Sequence, residues 1–135
     1  MASSTLVGLD VGEKRIGVSV ADTGVRIAVP FTTVEVNGDE INAIAEIVVK
    51  EGADTIVVGY PRNQAGEATA QTAYVEAFVK KIETLAATIA YQDESLTSVM
   101  AEQQLKSHNK PYSKGDIDSQ AAAIILQDYL ELHYG

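Results

Sequence analysis

The chain has no cysteine, which excludes disulfides and thiolate metal sites and suits a reducing compartment. It is also short of cations: 10 Lys and Arg stand against 19 Asp and Glu, a net charge of −9. Phosphate binding normally relies on Lys and Arg, so composition alone points away from nucleic acid. Long apolar runs are missing too. Charges interrupt every hydrophobic stretch before membrane-spanning length, and the opening MASSTLVGLDVGEKRIG lacks the apolar run of a signal peptide. The expectation is a soluble, cytoplasmic protein with no membrane partner. No repeat, low-complexity tract or long linker divides the 135 residues, so a single domain over 1–135 is expected. A hydrophobic content of 46% with 21% charged residues is that of a globular chain able to bury a core.

The residues that are present fall into strand and helix patterns. STLVGLDVG reads as a buried strand whose apolar run ends at Asp10. RIGVSVADTGVRIAVPFTTVEV reads as a hairpin turning at Asp22-Thr23-Gly24. Pro30 cannot donate to a ladder, which puts the second run on a sheet edge. From Asn37 to Glu51, Ile41, Ile44, Ala45 and Val48 recur at helical spacing, and Gly52 is the stop. DTIVVGYP is a second buried strand. Tyr74, Phe78 and Ile82 mark one face of a helix over Glu67–Ile82, and ATIAYQ is a short strand leading to Asp93-Glu94. Helices over about Ser98–Lys106 and Lys114–His133 follow, separated by the breaker-rich HNKPYSKG. This order predicts an α/β fold: a five-stranded mixed sheet, made of a three-strand antiparallel meander plus two parallel strands, with helices on both faces.

Such a topology can bring three acids to one end of the sheet. Asp10 closes the first strand, Glu94 stands just past the last, and Asp118 lies in the first turns of the final helix. Clustered carboxylates suit Mg²⁺ or Mn²⁺, because hard cations prefer oxygen. Two such ions can activate water and stabilise the leaving oxygen in phosphodiester cleavage. The neighbouring acids have plainer readings. Asp93 and Glu94 equally suit a polar entry to the next helix. Asp116 suits a capping box with Ser113 as N-cap. His108 and His133 have no partner at ligand spacing, and Tyr74, Phe78 and Tyr129 read as packing residues. Gly8, Gly12 and Gly17 either permit tight packing or open the backbone to a phosphate or metal. The few cations sit usefully: Lys14 and Arg15 follow Asp10, Arg62 lies in a turn with Asn63, and Lys106, Lys110 and Lys114 run up to Asp118.

Together, GLDVGEKRIGVSVAD, VVGYPRNQAG, YQDESLTS and DIDSQAAAIIL resemble the YqgF/RuvX family of Holliday-junction-resolvase-like proteins, also described as nucleases for pre-16S ribosomal RNA. The resemblance runs over nearly the whole chain. It implies a ribonuclease H-like fold, with the family's acids at Asp10, Glu94 and Asp118, and it selects Asp118 over Asp116. The first motif also includes Arg15, and the second includes Pro61, Asn63 and Gly66. Two positions depart from the pattern. Ser95 replaces a common basic residue, and the helix start Thr97-Ser98-Val99-Met100 lacks the usual glutamate. The former removes a phosphate contact; the latter loses at most about 1 kcal/mol of capping.

The resemblance implies an endonuclease in which Asp10, Glu94 and Asp118 hold two Mg²⁺ or Mn²⁺ ions. Lys14, Arg15, Arg62, Asn63, Lys110 and Lys114 would contact the substrate, and the loop from His108 to Lys114 would close over it. Precursor ribosomal RNA is the expected substrate and branched DNA the runner-up, since no residue reads as a 2′-hydroxyl sensor. A homodimer is also among the expectations. The rival reading is a non-catalytic module on ribosomal or transcription partners, which the net charge and Ser95 favour. The first motif also resembles that of actin-like and sugar-kinase-like ATPases, but 135 residues leave no room for the second domain such enzymes need.

Overall fold

The computed structural model describes residues 3–61, 65–94 and 97–135, without the side chains of 97 and 98. Five strands form one sheet: β1 (Thr5–Val11), β2 (Arg15–Asp22), β3 (Ala28–Glu35), β4 (Ala53–Pro61) and β5 (Thr88–Glu94). Their spatial order is β3-β2-β1-β4-β5. β1–β2 and β2–β3 are antiparallel, whereas β1–β4 and β4–β5 are parallel. The expected mixed sheet is therefore present, and β3, which carries Pro30, lies at its edge.

The described residues form four helices: α1 (Glu40–Glu51), α2 (Ala70–Ile82), α3 (Thr97–Ser107) and α4 (Lys114–Tyr134). Strand side chains alternate between faces, and the two faces are covered differently. Val7, Leu9, Val11, Ile16, Val18, Ile56 and Val58 pack under α1 and α2, which contribute Ile44, Val48, Val75, Phe78 and Ile82. On the opposite face Leu6, Ala21 and Val57 pack under Ile125, Leu126 and Leu130 of α4. α3 rests on α4 through Ala101, Ala121 and Ile124 rather than on the sheet. Each large aliphatic side chain buried in this way contributes roughly 1.5–3 kcal/mol.

The boundaries differ modestly from expectation. α1 begins at Glu40 instead of Asn37, because Asn37 accepts a bond from Asp39 N in a turn that precedes the helix. It ends as expected at Gly52, whose φ of 65° is left-handed and whose N–H reaches the carbonyls of Val48 and Val49. α2 begins at Ala70 because Thr69 and Thr72 form a capping box that fixes its start there. β5 runs through Glu94, so that residue is the last of the strand and not one beyond it. Ser113 caps α4 reciprocally with Asp116, as the sequence predicts.

α4 lies unusually close to the strands beneath it. A Cβ on Gly8 would meet Ser19 Oγ and Leu126, and one on Gly17 would collide with the Asp118 backbone. The Ser19 hydroxyl, fully buried, donates to the Ala122 carbonyl at 2.8 Å. Tight packing is thus the role of Gly8 and Gly17, and Gly12 closes the β1–β2 turn by donating to the Arg15 carbonyl at 3.0 Å.

Candidate functional site

Asp118 and Glu94 each come close enough to Asp10 to act on it or feel its charge, because glycines make room for them. Alternation along β1 sends Val7, Leu9 and Val11 to one core and leaves Asp10 on the α4 side. Its antiparallel partner in register is Gly17. The missing side chain at Gly17 admits the backbone of α4 at Asp118, so this helix enters directly beside Asp10. From the other side comes Glu94, paired in parallel register with Pro61. A Cβ on Gly59 would collide with Glu94 Oε2 and Ile125. Gly59 therefore makes room for the Glu94 carboxylate to lie across β4.

Burial and mutual repulsion dominate the electrostatics. Burial pushes the Asp10 carboxyl up to about 6, with the Asp118 charge adding to the effect. Glu94 is pushed up to about 8, again first by burial and then by the Asp10 charge. Glu94 Oε2 is buried and, among the described residues, has no hydrogen-bond partner. An uncompensated buried carboxylate is costly, so the protein holds two acids where they are hard to ionise. Asp118 is differently placed: its Oδ2 accepts from Arg15 Nε at 2.6 Å, joining the start of β2 to α4 across 103 residues of sequence.

Among the described residues no group of three His, Cys, Asp or Glu side chains is arranged to hold a metal ion. The chemistry of the donors suits a hard divalent cation: Asp10 lies between the charges of Asp118 and Glu94, two of these acids are destabilised in the charged form, and Glu94 Oε2 has no partner among the described residues. A nearby cation would favour ionisation of both raised acids.

The expected cations are more dispersed. Lys14 is exposed where β1 turns into β2, Lys110 is exposed in the loop between α3 and α4, and Lys114 is exposed at the first residue of α4. Arg15 is engaged with Asp118. Arg62 and Asn63, together with Ser95, lie outside the described residues. His108 is exposed, and His133 lies against Tyr129 with ring centroids 4.2 Å apart. Phe78 is buried, and Tyr74 and Tyr129 pack against the two cores, as expected of packing residues.

Sequence reading overlooked three contributors. Gly59 stands out as a glycine in an apolar strand, but its proximity to Glu94 depends on strand pairing. Gln71 donates from Nε2 to the Val11 carbonyl at 3.0 Å, tying α2 to the end of β1 beyond Asp10. Phe31 lies half-exposed on β3 beside the start of α4; the sequence placed this run at an edge through Pro30 and gave Phe31 no role of its own.

The chain matches a family model described as "RuvX: Holliday junction resolvase" over residues 4–132. A protein of Chloroflexus aggregans named "Putative pre-16S rRNA nuclease" is 44% identical, the alignment covering 97% of this chain and 96% of that one. A Synechocystis protein of the same name is 42% identical, with 93% and 86% covered. Among solved structures, Thermus thermophilus RuvC in complex with a Holliday junction superposes with a TM-score of 0.59 at 16% identity, covering 98% of this chain and 96% of that one. The fowlpox virus resolvase in its complex with Holliday junction DNA gives 0.58 at 11% identity, with 95% and 97% covered. At these identities the likeness is one of fold, and it is the ribonuclease H-like fold of the resolvases.

Proposed function

The chain belongs to the RuvX family, and on that premise we propose that it is a divalent-metal-dependent endonuclease for structured nucleic acid that trims the 5′ end of precursor 16S ribosomal RNA. Asp10, Glu94 and Asp118 are the residues that would hold Mg²⁺ or Mn²⁺. The observation that carries this reading is the buried oxygen of Glu94, without a hydrogen-bond partner among the described residues, beside a second destabilised acid, Asp10. A structural role would have supplied a hydrogen-bond donor there. When bound, the ions supply an activated water and charge stabilisation for the leaving oxygen.

The chain's own residues set the conditions for that chemistry. The β1 backbone and Gly17 set Asp10 beside the start of α4, where Asp118 lies. Arg15 holds Asp118 and, with Lys14, presents positive charge next to the acids. Lys110 and Lys114 extend that charge along the α3–α4 loop, and Arg62 and Asn63 belong to the same proposed phosphate-contacting set. These few cations give a local basic rim on an acidic body. Such a rim makes binding strongly dependent on salt. Within the described residues no helix is long and apolar enough to cross a membrane, and a cytoplasmic place beside nascent ribosomes follows from the proposed substrate. Homodimerisation is part of the proposal, and sedimentation measures it.

The test is direct. Purified protein is incubated with precursor 16S ribosomal RNA and with a four-way DNA junction, each with Mg²⁺, Mn²⁺ or EDTA. Asp10→Asn runs alongside as the control for contaminating nuclease. Metal-dependent cutting of the RNA by the parent protein alone is expected. Cutting of the junction alone would assign the site to branched DNA. Equal cutting by parent and variant, or none by either, would defeat the enzyme reading and leave a binding module.

A further inference from the structure

On the same face of the sheet as Asp10, a groove of about 460 Å³ opens between β3 and the start of α4. Phe31, Thr32, Thr33, Ser113, Asp116 and Ser119 line it. The ladder is irregular here: pairing passes from Val18 with Thr32 to Ser19 with Pro30, so Phe31 is the extra residue of a β-bulge. Bulges re-aim side chains next to functional sites, and Phe31 faces the groove with 42% of its surface exposed. Pro30 has no N–H, so the edge lacks a donor for strand addition at this point.

The groove lies across the first turns of α4 from Asp10, because α4 sits on Gly17 and Thr33. Asp10 pairs with Gly17, and Gly17 pairs with Thr33. Two strand spacings of about 4.8 Å place Thr33 about 10 Å from Asp10. A nucleic-acid strand that reaches both passes over the start of α4, so it spans more than about three nucleotides, the number that this separation takes at 3.4 Å per stacked residue. Thr33 Oγ1 donates to the Gly115 carbonyl at 2.6 Å, which fixes the groove floor to α4. Ser113 Oγ accepts from Asp116 N at 3.2 Å and retains its own proton to donate. The Asp116 carboxylate accepts from Ser113 N at 2.8 Å. Lys114, between these two lining residues, is exposed.

We propose that this groove is a nucleobase subsite, in which one base of the bound strand stacks on Phe31 and meets the hydroxyl-lined wall with its polar edge. The inference rests on the nuclease reading above and adds which part of the substrate is gripped. The groove is open and its lining mostly polar, and an aromatic face combined with side-chain hydroxyls suits a base better than a purely apolar partner. Val25, Ile27 and Val29 are also exposed along the same hairpin. A second copy of the chain seated there is the alternative that the experiment must separate.

Affinity is measured by fluorescence anisotropy on the Asp10→Asn background, using RNA oligonucleotides and DNA junctions in which a single abasic position is walked along the strand. One abasic position is expected to weaken binding roughly 5- to 100-fold. Phe31→Ala should weaken the intact ligand by a similar factor and erase that position's penalty. Phe31→Trp should preserve affinity, with its fluorescence quenched on binding. Melting temperatures of the variants confirm folding. Unchanged affinity and an unchanged abasic profile in Phe31→Ala would overturn the subsite. So would a shift in sedimentation without a change in affinity, which would assign the groove to a second copy. Absence of all nucleic-acid binding and cutting defeats the nuclease reading as well, whereas metal-dependent cutting with Phe31-independent affinity overturns the subsite alone.

Discussion

Glu94→Gln should flatten the decline of stability with pH in protein kept free of metal by EDTA. The substitution keeps the shape of the side chain and removes its ionisation. In the folded protein the Glu94 carboxyl is raised from 4.5 to about 8, chiefly by burial and then by the Asp10 charge. Its folded pKa lies above its unfolded one, so between those values the folded state binds more protons than the unfolded state, and stability falls as pH rises. Below about pH 4.5 the penalty is absent; above about pH 8 it is complete. A displacement of this size corresponds to roughly 2–5 kcal/mol over the whole window, at 1.36 kcal/mol for each pH unit of displacement. For a chain of this length that is about 10 °C in melting temperature. The Gln amide is itself poorly satisfied, at about 1–3 kcal/mol, so absolute stability does not discriminate. The slope does. Thermal unfolding from pH 5 to pH 9 should show the parent losing stability steeply and the variant only through Asp10, whose own rise to about 6 places its window lower. Added Mn²⁺ should restore the parent at pH 8 and leave the variant little changed. Parallel pH profiles for the two proteins would refute the burial argument and, with it, the strongest support for a metal at this position.

Three further perturbations address the framework around the acids. Gly17→Ala places a methyl group against the Asp118 carbonyl, and the displacement of α4 should lower stability by about 1–3 kcal/mol, measured by urea unfolding, with loss of any metal-dependent cutting. Arg15→Ala breaks a partly exposed pair with Asp118, so the melting temperature should change little while cutting falls sharply; a large stability loss with intact cutting would reverse that assignment. Ser113→Ala removes the N-cap of α4 and should lower stability by about 1 kcal/mol, seen as an earlier denaturation midpoint.

Local chemistry made much of this architecture legible. Alternating apolar runs announced the strands, Pro30 marked an edge, and Gly52 stopped α1 where its left-handed φ was needed. The Ser113–Asp116 box was readable because its partners are three residues apart. The acids were legible as strand-end and helix-start residues, and the motif resemblance grouped them. What escaped was set by pairing between distant segments. Nothing near Arg15 in the sequence indicates Asp118, and nothing near Glu94 indicates Gly59. The bulge at Phe31 is likewise invisible to a strict period of two, because it arises from how β3 registers on β2. Sequence patterns gave the inventory of the site; strand register and the close approach of α4 determine its geometry.

The pairing of Arg15 with Asp118 also bears on the order in which the site comes into being. On a ribosome the strands that carry Asp10 and Arg15 emerge long before the segment that supplies Asp118, the Ala122 carbonyl for Ser19, and Leu126 and Leu130 for the second core. Until α4 docks, the Asp10 side of the sheet is an uncovered surface and the acids are incomplete. A half-made chain therefore lacks the proposed site, and whatever chemistry the site performs switches on only when α4 closes over the meander. Contacts between such distant segments also tend to slow folding.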